Sequence, residues 1–111
     1  MRSFDFNAIQ QPKLAVTLPN KEQTRISLTV PTTGLAERTL SAAKELKEIL
    51  DAKDDSVIQE MYKLIAEILS CNTEHREFTA DEMKECLNIE HIAAFMLEYV
   101  SFIKDMKTEK N

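Results

Sequence analysis

Two cysteines and two histidines are the residues whose chemistry could support a site. Cys71 precedes His75 by four positions, and Cys86 precedes His91 by five. Zinc accepts two thiolates and two imidazoles. Structural zinc sites, however, usually contain two cysteines with two to four residues between them, and Cys86 lies on an apolar helical stripe where cysteine acts as a small hydrophobic residue. We therefore expect no metal site.

Nucleophilic catalysis by cysteine requires a base, a third group that orients the base, and a concave pocket. The sequence supplies the thiol and two histidines as bases, but no motif that joins them to a third group. A glycine-rich phosphate loop, a nucleophile elbow and an acidic metal-binding box are all missing, and the chain has only one glycine. We expect no catalytic residue, no cofactor and no enzymatic activity.

Charge argues against a nucleic-acid partner. The 111 residues contain 14 Lys and Arg against 19 Asp and Glu, a net charge of −5. Residues 1–30 hold four cations and two acids, a net +2, while the remainder holds ten cations and 17 acids, a net −7. An acidic chain repels phosphate backbones, and no basic stripe interleaved with aromatic residues offsets this.

The N-terminus and the apolar runs predict a cytoplasmic protein that does not enter a membrane. Residues 1–7 contain Phe4, Asp5 and Phe6 where a secretory signal would have an apolar core. The longest apolar run, residues 92–97, is much shorter than the roughly 20 residues of a membrane span. A cytosolic setting would also keep the two cysteines reduced.

Near the N-terminus, apolar residues alternate with polar or small ones in two short runs, 14–18 and 26–30, as in half-buried strands. Between the runs lie Pro19, which stops a strand, and Asn20, which tolerates left-handed geometry. The pattern predicts an antiparallel hairpin. A hairpin leaves both outer edges open unless the segment Phe4–Gln10, a helix or another chain covers them.

After Pro31 the apolar spacing becomes helical and predicts four helices. The expected first helix runs from about Thr33 to Asp51, and the second begins at residues 54–55 and ends near 71–72. A capping box formed by Thr79 and Glu82 begins the third helix. Asn88 ends the third helix and caps the fourth, which extends through residue 106.

The predicted fold is α+β and mostly α, with an N-terminal antiparallel hairpin packed on a small bundle of three to four helices. We expect one domain over residues 1–111. It is divided into the extended segment and hairpin (1–31), the helical bundle (32–107) and a frayed tail (108–111).

Apolar residues beyond those a small core needs suggest a protein interface. Phe4 and Phe6 flank Asp5 either as a terminal strand packed on the hairpin, which we favour, or as an aromatic hook for a partner. The second and fourth helices carry a second apolar row, consistent with bundle packing, a weak homo-oligomer or a protein client. The candidate partner-binding residues are Phe4, Phe6, Leu28, Tyr62, Phe95 and Phe102.

The layout as a whole resembles the tail assembly chaperones of long-tailed bacteriophages. Residues 4–35, FDFNAIQQPKLAVTLPNKEQTRISLTVPTTGL, are similar to their extended segment and hairpin entering a helix. Residues 67–106, EILSCNTEHREFTADEMKECLNIEHIAAFMLEYVSFIKDM, are similar to their C-terminal helices. The resemblance implies a protein of the bacterial host cytoplasm that binds the tape-measure protein and keeps it soluble until tail tube subunits replace it. It also implies a longer, frameshifted form in some members.

Two other classes fit the same residues. One is a small structural virion protein, either a head-tail joining protein or a minor tail component, which would form a ring through heterologous contacts. The other is an accessory regulator that binds a protein. Presence in purified particles distinguishes the virion component from a chaperone, which should be absent from them.

Overall fold

The computed structural model describes residues 1–52 and 54–108, with side chains described for 1–51 and 54–105. A two-stranded antiparallel hairpin is followed by helices, which confirms the α+β, mostly α fold class. The elements, in chain order, are β1 (Leu14–Thr17), β2 (Arg25–Leu28), α1 (Thr33–Lys44), α2 (Leu46–Ala52), α3 (Asp55–Leu69), α4 (Ala80–Cys86) and α5 (Ile89–Thr108).

The hairpin has the predicted alternation. Leu14 lies opposite Leu28 and Val16 opposite Ile26, and this face points into the protein. In the turn, the Asn20 carboxamide accepts a hydrogen bond from the Thr24 amide at 3.0 Å and donates one to the Thr24 hydroxyl at 2.9 Å. Asn20 does not supply the left-handed residue, however; Gln23 does, with φ of 47°.

The prediction that the N-terminal segment packs as a strand is wrong. Residues Phe6–Ala8 form a short 3-10 turn, and Phe4 and Phe6 are 70% and 79% exposed. The local cause is Asp5, whose carboxylate accepts hydrogen bonds from the backbone and side-chain N–H groups of Asn7 and so closes a turn. The two phenyl rings contact each other edge to face, with centroids 4.8 Å apart.

The first predicted helix is interrupted, so the structure has five helices in the part of the chain that it describes. At Glu45 the amide donates to the Ala42 carbonyl at 3.2 Å, a tighter turn than an α-helix makes, and α2 then begins with the buried Leu46. No Gly or Pro marks this break in the sequence.

The remaining helix starts follow the predicted caps. Thr79 and Glu82 form the expected capping box of α4. At the start of α5 the Asn88 carboxamide accepts from the His91 amide, and His91 Nδ1 accepts from the Asn88 amide, both at 3.0 Å. Helix α3 ends at Leu69, two residues before the prediction. Of the predicted tail, Thr108 is still helical, and residues 109–111 lie outside the described residues.

One cluster of buried side chains joins the hairpin to the helices. Leu28 of β2, Ile65 and Ile68 of α3, and Met96 and Tyr99 of α5 are completely shielded from solvent within it. Apolar residues of α3 and of α5, which correspond to the second and fourth predicted helices, both contribute to this core. The hairpin is thus held by helices, as an isolated hairpin would need.

Candidate protein-binding edge

The outer edge of β2 is covered by the loop between α3 and α4. The Thr29 amide donates to the Cys71 carbonyl at 2.9 Å, and the Thr73 amide donates to the Ser27 carbonyl at 3.0 Å. The Glu74 carboxylate accepts from the Ser27 amide at 2.9 Å, and this bond lowers the pKa of Glu74. The protein itself therefore covers this edge at Ser27 and Thr29.

The outer edge of β1 is open. The Leu18 amide donates to the Thr24 carbonyl at 2.8 Å, so even-numbered residues of β1 make the hairpin bonds. Because antiparallel strands alternate, the N–H and C=O groups of Ala15 and Thr17 point away from β2. Both residues are exposed, and within the described residues no further backbone hydrogen bond reaches them. Their four polar groups are available to an added strand.

An apolar groove of about 210 Å³ lies beside this open edge. Its walls come from β1 and the turn on one side and from α3 and the α4–α5 region on the other. No residue of β2 lines it, which places it on the open side of the sheet. The residues that line it are Val16, Thr17, Leu18, Pro19, Ile65, Leu69, Leu87, His91, Ile92, Ala94 and Phe95.

Helix α5 extends the apolar surface beyond the groove. Phe95 lines the groove and stacks on Tyr99, with ring centroids 5.5 Å apart. Ala94 is exposed at the groove, and Leu97, one helical turn further, is 70% exposed. Open backbone groups beside an apolar groove are the features that bind an extended peptide by strand addition.

The structure separates the residues predicted to bind a partner. Leu28 is fully buried, and Tyr62 is only 7% exposed, with its hydroxyl donating to the Leu87 carbonyl at 2.8 Å. These two belong to the core. Phe95 and Phe102 lie on α5 and are partly buried against the core, on either side of Tyr99. Of the candidates, Phe4 and Phe6 are largely exposed.

The cysteines and histidines do not form a cluster of metal ligands. Among the described residues, no group of three or more His, Cys, Asp or Glu side chains is arranged to hold a metal ion. Cys71 and Cys86 pack against the core, and burial raises the pKa of both thiols, with Glu67 and Glu82 as further causes. His91 caps α5 and lines the groove.

Sequence reasoning missed the backbone of Ala15 and Thr17 and the exposed Leu97. Strand alternation could have identified Ala15 and Thr17 as outward-facing. It could not have shown which edge of the hairpin is open, because that depends on where residues 71–74 fold back, more than 40 positions along the chain.

In comparisons with known proteins, no protein family, curated protein or solved structure matches the chain. Within the described residues, no single helix is long and apolar enough to cross a membrane. Helices α4 and α5 reach that length and composition only together, and they are bent by 112° at their junction.

Proposed function

We propose that this is a non-catalytic, cytoplasmic protein that binds and solubilises a tape-measure protein during phage tail assembly, as the tail assembly chaperones that it resembles do. The observation that supports this most directly is that one edge of the hairpin is covered by the chain and the other is not. The chain closes the β2 edge with its own loop and leaves the β1 edge open beside an apolar groove.

In this proposal an extended segment of the client pairs with β1. Its backbone exchanges hydrogen bonds with Ala15 and Thr17, while alternate apolar side chains enter the groove. A typical hydrogen bond contributes only about 0.5–1.5 kcal/mol net, so a four-residue edge binds weakly. Weak binding suits a chaperone that must release its client when tube subunits arrive.

The test is co-expression of the full chain with the tape-measure protein from the same genome. Thr17→Pro removes an outward amide that the hairpin does not use, and proline is tolerated at such edge positions. Thr17→Val keeps that amide and is the matched control. We expect the wild type and Thr17→Val to raise the soluble fraction of the client, and Thr17→Pro to lose most of that effect while retaining its circular dichroism spectrum.

An equal effect of Thr17→Pro and Thr17→Val would remove the β1 edge from the proposal. If the wild-type protein neither co-purifies with the client nor changes its solubility, the chaperone function itself is wrong. Detection of the protein at fixed copy number in purified particles would favour the structural virion component.

A further inference from the structure

We propose that, in the absence of client, the β1 edge and groove are occupied by the N-terminal segment of a second copy of this chain. The inference rests on the edge assigned to the client in the proposed function. It goes further by naming a second occupant that would compete with the client. The segment consists of residues 4–8, which include the exposed Phe4 and Phe6.

The sequence of the segment fits the open edge in one antiparallel register. When Phe6 lies opposite Val16, Phe4 lies opposite Leu18, and both rings face the groove. The intervening Asp5 and Asn7 then bring their backbone groups opposite Thr17 and Ala15, whose N–H and C=O groups point outward. In this one register the even-numbered residues of the segment place their apolar side chains in the groove, and the odd-numbered residues form the backbone hydrogen bonds.

The groove is large enough for an aromatic ring. Its volume is about 210 Å³, whereas a cavity of roughly 150 Å³ suffices to bind benzene. Phe4 and Phe6 bury little of their surface at present, and the 3-10 turn that begins at Phe6 is only three residues long. Moving one ring into the groove therefore removes exposed apolar area and opens only a short local turn.

A second copy fits better than the chain's own segment. Phe6 and Asn7 of the segment line an open groove of about 640 Å³ together with residues 9–13, Thr29, Val30 and Thr73, and the last three lie on the covered side of the hairpin. Residues 9–13, which include Pro12, connect it directly to β1, and for docking within one chain they would have to move it to the opposite side of the hairpin.

Each copy has one segment to donate and one edge to receive it, so two copies can exchange segments around a two-fold axis and form a closed dimer. Each half of that interface adds one strand to a four-residue edge. We expect a weak dimer that dissociates on dilution.

Sedimentation at increasing concentrations of the full chain tests the inference. We expect the average mass of the wild type to rise from 12.7 kDa towards twice that value. The dissociation constant of the Phe4→Ser/Phe6→Ser dimer should be at least tenfold higher than that of the wild type, because burial of each ring contributes enough free energy to change affinity by that factor. Ile9→Ser is the matched control, since Ile9 is apolar and 51% exposed but out of phase with the two rings.

Mixing two defective variants separates exchange between copies from docking within one chain. Thr17→Pro retains the segment, and Phe4→Ser/Phe6→Ser retains the edge, so the mixture can still form one of the two exchanged strands and should associate more than either variant alone at the same total concentration. If the Thr17→Pro backbone fails to fold, Ala94→Glu blocks the groove at an exposed position instead. A wild-type mass that stays at 12.7 kDa, or a mixture that associates no more than the two variants alone, overturns the inference.

The two proposals fail in different ways. Loss of client solubilisation with intact dimerisation contradicts the proposed function alone. Conversely, a monomeric wild type whose client effect depends on Thr17 retains the chaperone function and excludes the second copy. If both are correct, Phe4→Ser/Phe6→Ser should solubilise the client at a lower protein concentration than the wild type, because it no longer competes for its own edge.

Discussion

Two buried tyrosines differ in how their hydroxyl groups are satisfied. The Tyr62 hydroxyl donates to the Leu87 carbonyl at 2.8 Å and links α3 to the end of α4. The Tyr99 hydroxyl is buried in the centre of the core, and among the described residues it has no hydrogen-bond partner. Burial, and secondarily Cys71, raises the pKa of Tyr99, because the phenolate would be far less stable there than in water.

Tyr99→Phe should stabilise the protein. The substitution keeps the ring that stacks on Phe95 and removes an unpaired polar group, which costs about 1–3 kcal/mol when buried. We expect the free energy of unfolding in urea to rise by about 1 kcal/mol. Tyr62→Phe is the control: it removes a hydroxyl that does have a partner and should lower that free energy by a similar amount.

A loss of stability in Tyr99→Phe would show that the hydroxyl is satisfied in solution, by water or by a movement of the core. Both substitutions would then lower the free energy of unfolding, and the distinction between the two tyrosines would be wrong.

At the scale of helices, the caps show why some starts were predictable. The capping box of α4 and the cap of α5 each join residues three positions apart, Thr79 with Glu82 and Asn88 with His91. A signal confined to four residues is visible in a sequence. The break at Glu45 is different, because it has no Gly or Pro and accompanies the burial of Leu46 in a core that distant elements build.

Gly34 offers a test at this scale. It lies in the first turn of α1, its φ is not positive, and a Cβ added to it would meet no atom within 4 Å. Gly34→Ala should therefore raise the free energy of unfolding by about 0.5 kcal/mol through a lower backbone entropy in the unfolded chain. Thermal unfolding followed by circular dichroism measures this. Thr32→Ala, which removes the hydroxyl that accepts a hydrogen bond from the Leu35 amide, should instead lower the free energy of unfolding.

The strands and the fold class were predictable from local periodicity, but the candidate site was only partly so. Alternation identified the buried face that includes Ile26 and Leu28. It did not predict that Asp5 would close a turn and leave Phe4 and Phe6 exposed. Whether this segment forms a strand or a turn depends on whether the folded hairpin has a free apolar surface next to it, and local alternation does not contain that information. The groove likewise requires α5 to pass beside β1, which no local pattern encodes.

At the scale of the whole molecule, the loop at residues 71–74 ties the hairpin to the helices. Asn72 is buried and forms an isolated bridge with Leu28. Its carboxamide donates to the Leu69 and Arg76 carbonyls at 2.7 Å and accepts from the Arg76 amide at 2.9 Å. These hydrogen bonds hold the shape of the loop independently of its bonds to β2.

Glu74 makes the attachment of this loop sensitive to acid. The Ser27 amide lowers the pKa of Glu74 below its usual 4.5, so the folded protein favours the ionised carboxylate more than the unfolded chain does. The resulting stabilisation is present above the unfolded pKa and is lost as the pH falls through the folded pKa. We expect the wild type to lose more of its thermal stability than Glu74→Gln between about pH 5 and pH 3.

Glu77→Gln, at an exposed position of the same loop, is the matched control. It should follow the pH profile of the wild type. If Glu74→Gln also follows that profile, the bond between Glu74 and the Ser27 amide does not contribute to stability in solution.

The covered edge of β2 also limits what the protein can build. A sheet grows without end only when each added unit brings one edge that is paired and another that is free. Within the described residues each copy brings one edge, that of β1, without backbone partners, because its own chain covers the other at Ser27 and Thr29. Edge-to-edge pairing of two copies at β1 would therefore end the sheet instead of extending it, which keeps the hairpin from seeding a fibril of this chain.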